Sequence, residues 1–198
     1  MKPLLTIMTP VMRSRNLHAI AESLVPGRLL FDLRWWVIID TTLPSYCIPG
    51  AGSLPEGTTV SLCDTPSDGP RTGEFVQNSV LPDFLDLPET WVWGLADDNL
   101  ATKEFFVSLR ETIDRDPTLD LIVFPMRHRD GLLEASSAKC HGGSIDGGQL
   151  VYRSSLIGSL RFGKGPCPDG DFAARLLERS KHPTFLLTPV LPYNALRG

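Results

Sequence analysis

A run of apolar residues that ends in two adjacent carboxylates constrains this chain more than any other stretch: Trp91-Val92-Trp93-Gly94-Leu95-Ala96-Asp97-Asp98-Asn99. Its first half reads as a buried strand, and the residues that follow, Leu100 to Arg110, place their apolar side chains at helical spacing. A strand that leads into a helix in this way presents Asp97 and Asp98 at its carboxyl edge. In open α/β sheets that edge is where ligands sit. Two hard oxygen donors there suit a divalent cation carrying substrate phosphates. The same triplet also has the chemistry of a turn and of a helix N-cap, so Asp97, Asp98 and Asn99 alone do not decide between the two uses.

The chain before this motif begins with a strand, Leu4 to Met8, expected to break at Thr9-Pro10. A polar loop, Val11 to Asn16, leads to a helix over Leu17 to Leu24 that Pro26-Gly27 is expected to stop. A second strand over Leu33 to Ile39 ends at Asp40. Strand, helix and strand make a βαβ unit with parallel strands and a right-handed crossover. That brings Thr9-Pro10 and Asp40 side by side, where Asp40 can accept a hydrogen bond from a base or simply close a turn. Residues 44–70 change to Pro, Gly, Ser and Thr, with one strand over Thr58 to Leu62, and a short helix is expected over Ser79 to Leu85. After the acid motif come a helix from Thr102 to about Arg115, a strand over Leu119 to Pro125, and a last strand over Thr184 to Leu187.

Composition narrows the classes. With 198 residues, 42% of them hydrophobic, and a net charge of −4, the chain reads as an ordinary globular protein, expected to form one domain over residues 1–198. Lys and Arg do not cluster as a nucleic-acid footprint requires. No apolar run approaches the roughly 20 residues of a membrane span. Met1 to Met8 is too short for a signal-peptide core. Cys47, Cys63, Cys140 and Cys167 show no CxxC pairing, which argues for reduced thiols and a cytoplasmic protein. The length leaves no room for a membrane anchor or an added acceptor domain, so a partner subunit or a homo-oligomer is in keeping with it.

The order of the pieces resembles the GT-A fold glycosyltransferases, of the family 2 and glucuronyltransferase type. The resemblance rests on Gly73-Glu74-Phe75-Val76-Gln77-Asn78, then Leu95-Ala96-Asp97-Asp98-Asn99 as a DxD-type motif, then Phe105-Phe106. Thr9-Pro10 with Arg13, and the strand ending at Asp40, are similar to the family's nucleotide-binding start. Ile145-Asp146-Gly147-Gly148-Gln149-Leu150-Val151-Tyr152-Arg153 resembles its acceptor-lining strand, and Cys167-Pro168-Asp169-Gly170-Asp171-Phe172 stands where it carries a catalytic acid at a helix start. The match is weakest over residues 41–70. It implies a three-layer α/β/α fold with a mixed, mostly parallel central sheet, in which residues 1–99 bind a nucleotide sugar and 100–198 bind the acceptor.

Residue by residue, the resemblance assigns Asp40 to the base, Thr9, Pro10 and Arg13 to the surrounding loop, Asn78 to the nucleotide, and Asp97 to the ribose. Asp98 becomes the ligand of Mn2+ or Mg2+, with His182 as a further candidate ligand. Asp169 or Asp171 becomes the general base, and Asp146, Gly148 and Gln149 become acceptor contacts. Three departures stand out: Ala96 where the family has its first motif aspartate, Gln77 where it has Arg, and Pro168 where it has Glu. The implied reaction is metal-dependent transfer of a sugar, from a UDP-sugar by family habit, to a glycan or other hydroxyl acceptor, with inversion. Taken alone, without the resemblance, Asp169 reads as a helix cap, and His128 and His141 as loop residues. A sugar-phosphate nucleotidyltransferase is the alternative in the same fold, although Thr9 to Arg13 lacks the GxGxRxxP type of start. A non-catalytic sugar-binding or partner-binding domain is another, in view of Ala96 and Pro168.

Overall fold

The computed structural model of the chain describes residues 1–42, 54–63, 76–85, 88–128 and 131–196. Strands β1 (Leu4–Val11), β2 (Asp32–Asp40), β3 (Thr58–Cys63), β4 (Trp91–Gly94), β5 (Leu121–Val123), β8 (Leu150–Arg153) and β9 (Pro183–Phe185) form a seven-stranded sheet in the order β3-β2-β1-β4-β8-β5-β9. β8 runs antiparallel to both neighbours, and the remaining pairs are parallel. A second sheet, in the order β10-β6-β7, joins β6 (Met126–His128), β7 (Gly131–Leu133) and β10 (Leu191–Pro192).

Side-chain alternation along the strands builds two cores. Leu5 and Ile7, Trp35 and Val37, and Trp91 and Trp93 point to one face. Helices α1 (Leu17–Ser23), α2 (Val25–Leu30) and α3 (Lys103–Arg115) cover that face with Leu17, Ile20, Phe105, Phe106 and Leu109. Met8, Ile38, Val92 and Tyr152 point to the other, under Val80, Phe84, Ile157 and helix α4 (Pro168–Arg179) with Phe172 and Leu176. The result is the expected three-layer α/β/α arrangement. Because the central strand β1 is covered on both faces, its sequence reads as a nearly continuous apolar run. Two of the three buried indoles find hydrogen-bond partners: Trp35 Nε1 donates to Thr9 Oγ1 at 2.9 Å and Trp93 Nε1 to the Gly148 carbonyl at 2.8 Å, while Trp91 Nε1 is buried without one and its ring lies 4.3 Å under the Arg153 guanidinium.

Several expected boundaries move, each for a local reason. β1 does not break at Thr9-Pro10 but runs to Val11. Met8 accepts from Leu95 N at 2.8 Å, and Pro10, two residues on, faces the same side where β4 has already ended, so no ladder bond needs its N–H. Pro26 does not end the helical region; α1 stops at Ser23 and Pro26 sits in the first turn of α2, where a missing N–H costs nothing. Gly27 lets α2 lie against α3, since a side-chain carbon there would stand 2.6 Å from the Phe106 ring. α3 starts where Thr102 Oγ1 caps Phe105 N at 3.1 Å, so Thr102, not the acid triplet, supplies the cap. The helix expected over Ser79 to Leu85 is a 3-10 turn, Leu81–Leu85, and the sequence Gly69 to Phe75 lies outside the described residues. No helix of the described residues is long and apolar enough to cross a membrane.

Candidate functional site

The parallel strands β1 and β2 end side by side, with Val11 opposite Ile39, while β4 ends earlier, with Gly94 opposite Met8, and their carboxyl edge gathers the buried acids Asp40, Asp97 and Asp98. Val11 pairs with Ile39, which sets Asp40 beside the Met12-Arg13 loop. Asp97 faces that loop from the end of β4. Its Oδ2 accepts from Met12 N at 2.6 Å and from Arg13 N, and its Oδ1 takes Arg13 Nη1 at 2.9 Å. The same Nη1 lies 3.3 Å from Asp98 Oδ2, so one guanidinium bridges both carboxylates. Asn16 Nδ2 donates to the Asp97 carbonyl at 2.8 Å. Burial pushes the Asp97 carboxyl above the ordinary range; the two N–H groups and the guanidinium pull against this and only partly offset it.

A second wall stands across from the end of β4. A side-chain carbon at Gly94 would lie 3.5 Å from Gln77 Oε1 and 3.8 Å from the Gly147 carbonyl; one at Gly147 would lie 3.0 Å from Asp169 Oδ1. Gly94, Gln77, Gly147 and Asp169 therefore form a continuous line from the acid motif to the first turn of α4. The two acids of that turn face different ways. Asp169 faces Gly147, while Asp171 Oδ2 would lie 3.2 Å from a side-chain carbon at Gly165, on the loop before the helix. Asn78 holds that loop by a reciprocal pair, Nδ2 to the Phe162 carbonyl at 2.9 Å and Phe162 N to its Oδ1 at 2.7 Å.

The other candidates are placed as follows. Thr9 is fully buried and its hydroxyl is taken by Trp35, so it belongs to the core and not to a loop around a base; Pro10 is likewise inside β1. Asp40 Oδ1 accepts from Thr42 N at 2.9 Å and Thr42 Oγ1 at 2.6 Å, which closes the turn after β2. Asp146, Gly148 and Gln149 form a capped 3-10 turn: Asp146 Oδ1 accepts from Gly148 N, and Gln149 Oε1 accepts from Asp146 N at 2.9 Å. Gln149 is fully buried and donates to the Phe124 and Leu133 carbonyls, so its side chain shapes the loop and does not reach an acceptor. His182 precedes β9, whose Pro183 pairs in parallel with Leu121 at the start of β5. It thus lies at the amino edge of the sheet, opposite Asp98, and the expectation that both ligate one metal does not hold.

Gln77, marked in the sequence as standing where the family has Arg, and Gly147, of the double glycine before Gln149, complete the second wall. Asn99, read in the sequence as a turn or cap residue, binds the C-terminal segment: Asn194 N donates to its Oδ1 at 2.6 Å. The signal in the sequence was the proximity of each to a motif already singled out. Among the described residues no three His, Cys, Asp or Glu side chains gather as a metal cage. Adjacent carboxylates at a strand end fit a different arrangement, an Mg2+ or Mn2+ that takes its remaining ligands from water and substrate phosphates. Asp98 is the residue that would hold such an ion.

No family model and no curated protein sequence matches the chain. Among solved structures, that of TarS 1-349 from S. aureus matches with a TM-score of 0.65 at 16% sequence identity, covering 96% of this chain and 59% of that one. The apo structure of the bifunctional glycosyltransferase WbbM gives a TM-score of 0.37 at 10% identity, covering 91% of this chain and 35% of that one. The likeness to TarS shows that this chain shares that protein's fold, with a mixed, mostly parallel seven-stranded sheet. The chain spans about six-tenths of the TarS structure's length.

Proposed function

We propose that the chain transfers a sugar from a nucleoside diphosphate sugar to a hydroxyl acceptor, with a divalent cation on Asp98 and inversion at the anomeric carbon. One observation carries this reading: Asp97 and Asp98 are held by Arg13 at the carboxyl edge of the parallel strands, with Asp169 across the end of β4. Asp40 and the Val11 to Arg13 segment are the donor's base and ribose side. Their spacing is fixed by the β1–β2 register, so the donor meets a preformed edge. UDP is the nucleotide by family habit, and the Gln77 amide, close to Gly94 at the end of β4, is assigned to its diphosphate in this reading.

When bound, the cation neutralises charge that develops on the departing diphosphate. Asp169 takes the proton of the acceptor hydroxyl, a general-base contribution of about 10²- to 10⁴-fold. Asp171 is directed to the Gly163 to Gly165 loop, away from Gly147. Attack by one activated hydroxyl from the face opposite the diphosphate inverts the sugar.

The test is release of nucleoside diphosphate from a panel of UDP-, GDP- and dTDP-hexoses, with manganese and with a chelator. Slow hydrolysis of one donor class that stops with the chelator is expected. Asp169→Asn should reduce transfer by about 10²-fold or more, and Asp171→Asn much less. No release from any donor under either condition contradicts the proposal.

A further inference from the structure

The last described turn of the chain is tied to the acid motif by two hydrogen bonds. Asn194 N donates to Asn99 Oδ1 at 2.6 Å, and Leu196 N donates to the Asp98 carbonyl at 2.9 Å. Asn194 has φ 52°, a left-handed conformation that Asn tolerates better than most side chains. The segment reaches this turn as β10, paired in parallel with Met126 and Arg127, and Leu191 N donates to the Pro125 carbonyl at 2.8 Å. Leu191 is buried, Tyr193 and Leu196 pack against the core, and the Tyr193 ring lies 4.3 Å from that of His128. Asn99 is itself buried, and its N–H donates to the Ala96 carbonyl at 3.1 Å, closing the turn that presents Asp97 and Asp98. Asp98 is therefore bracketed, by Arg13 at its carboxylate and by the C-terminal segment at its carbonyl.

We propose that Asn99 is a positioning residue for the cation and donor site. Its side-chain oxygen fastens the Tyr193 to Leu196 turn against the acid motif, and that turn, through Leu196 N, fixes the backbone from which Asp98 reaches the cation. The inference rests on the reading of Asp98 as the cation ligand. Partners that orient a metal ligand are worth about 10- to 100-fold in metal affinity, which sets the expected size of the effect.

The test has two arms. In the metal-free protein, amide exchange at Asn194 and Leu196 reports the clamp; separately, calorimetry with UDP gives the manganese concentration that half-saturates nucleotide binding. Asn99→Leu should lose protection at both amides and need about 10- to 100-fold more manganese. Asn99→Asp keeps an acceptor oxygen and should retain protection and bind at least as well as the unaltered chain. Leu196→Pro deletes the N–H that donates to the Asp98 carbonyl, together with the packed leucine side chain, and should shift the manganese requirement in the same direction. The clamp is overturned if Asn99→Leu or Leu196→Pro exposes the turn while the manganese requirement stays unchanged, or if Asn99→Asp falls as far as Asn99→Leu. Asp98→Ala in the same titration separates the two claims. If it binds UDP and manganese like the unaltered chain, the transferase reading fails and takes this one with it. If it loses binding while both clamp variants keep it, only the clamp fails.

Discussion

The strands before the acid motif and those after it are held by different means. β1 and β2 have eight and nine residues and pair over eight positions, so a backbone ladder fixes where they end. β5, β6, β7 and β9 have three residues each and β10 has two. Between them the chain runs through 3-10 turns, and side chains secure it: Gln149 to three backbone groups, Asp120 to the residues before β9, Arg179 to the Leu156 and Ile157 carbonyls. The strands before the motif thus owe their geometry to backbone pairing, and those after it to side-chain bonds. Substituting an acid of the motif or of the strands before it should change nucleotide binding more than folding, and substituting a polar residue after it should do the reverse.

The hardest test of this contrast is Gln149→Leu. It strands the buried Phe124 carbonyl and removes a partner from the half-buried Asp146 N–H and Leu133 carbonyl, for an expected loss of about 3 kcal/mol by urea denaturation; a loss below about 1 kcal/mol would break the comparison. Arg13→Met probes the exception before the motif, a side chain that bridges Asp97 and Asp98. Removing a guanidinium from two buried carboxylates should cost about 3 kcal/mol in the same assay.

Smaller effects sharpen the comparison through pH. Burial raises Asp120, but Ser180 Oγ and the Lys181 and His182 N–H groups outweigh it and leave its carboxyl below the ordinary range. Its contribution is present above the unfolded value of about 3.9 and is lost as pH falls through the folded one. Asp97 is shifted the other way, so its contribution is full below about pH 3.9 and is lost as pH rises through its folded value. Asp120→Asn should cost about 1 kcal/mol at neutral pH and less in acid, while the difference between Asp97→Asn and the unaltered chain should move with pH in the opposite sense. Stability curves for the two variants between pH 3 and 7 that bend alike would contradict the assignment. The smallest expected change is Thr102→Ala, which removes the α3 cap for about 1 kcal/mol and leaves nucleotide binding unchanged.

The same contrast explains what could be read from the sequence. The βαβ start, the strand before Asp97 and helix α3 carry long periodic patterns, and the structure reproduces them to within a few residues. Pro10 misled because a proline was taken to end a strand, whereas its ring faces a side on which no partner remains. Thr9 and Gln149 misled because a polar residue near a motif reads as a ligand contact, yet one serves an indole and the other a loop. His182 misled because its place relative to Asp98 depends on β9 pairing in parallel with β5, a long-range choice that no local pattern records. The hold of Asn99 on Asn194 joins residues far apart in the chain, and neither position shows it alone.

The most direct measurement is calorimetric titration of UDP, GDP and dTDP into the protein, each with and without manganese, repeated with Asp98→Ala. Tight binding of one nucleotide, dependent on the metal and lost in Asp98→Ala, is the predicted result. Binding that ignores the metal and survives Asp98→Ala, or no binding of any nucleotide, would contradict the assignment of this edge as a donor site.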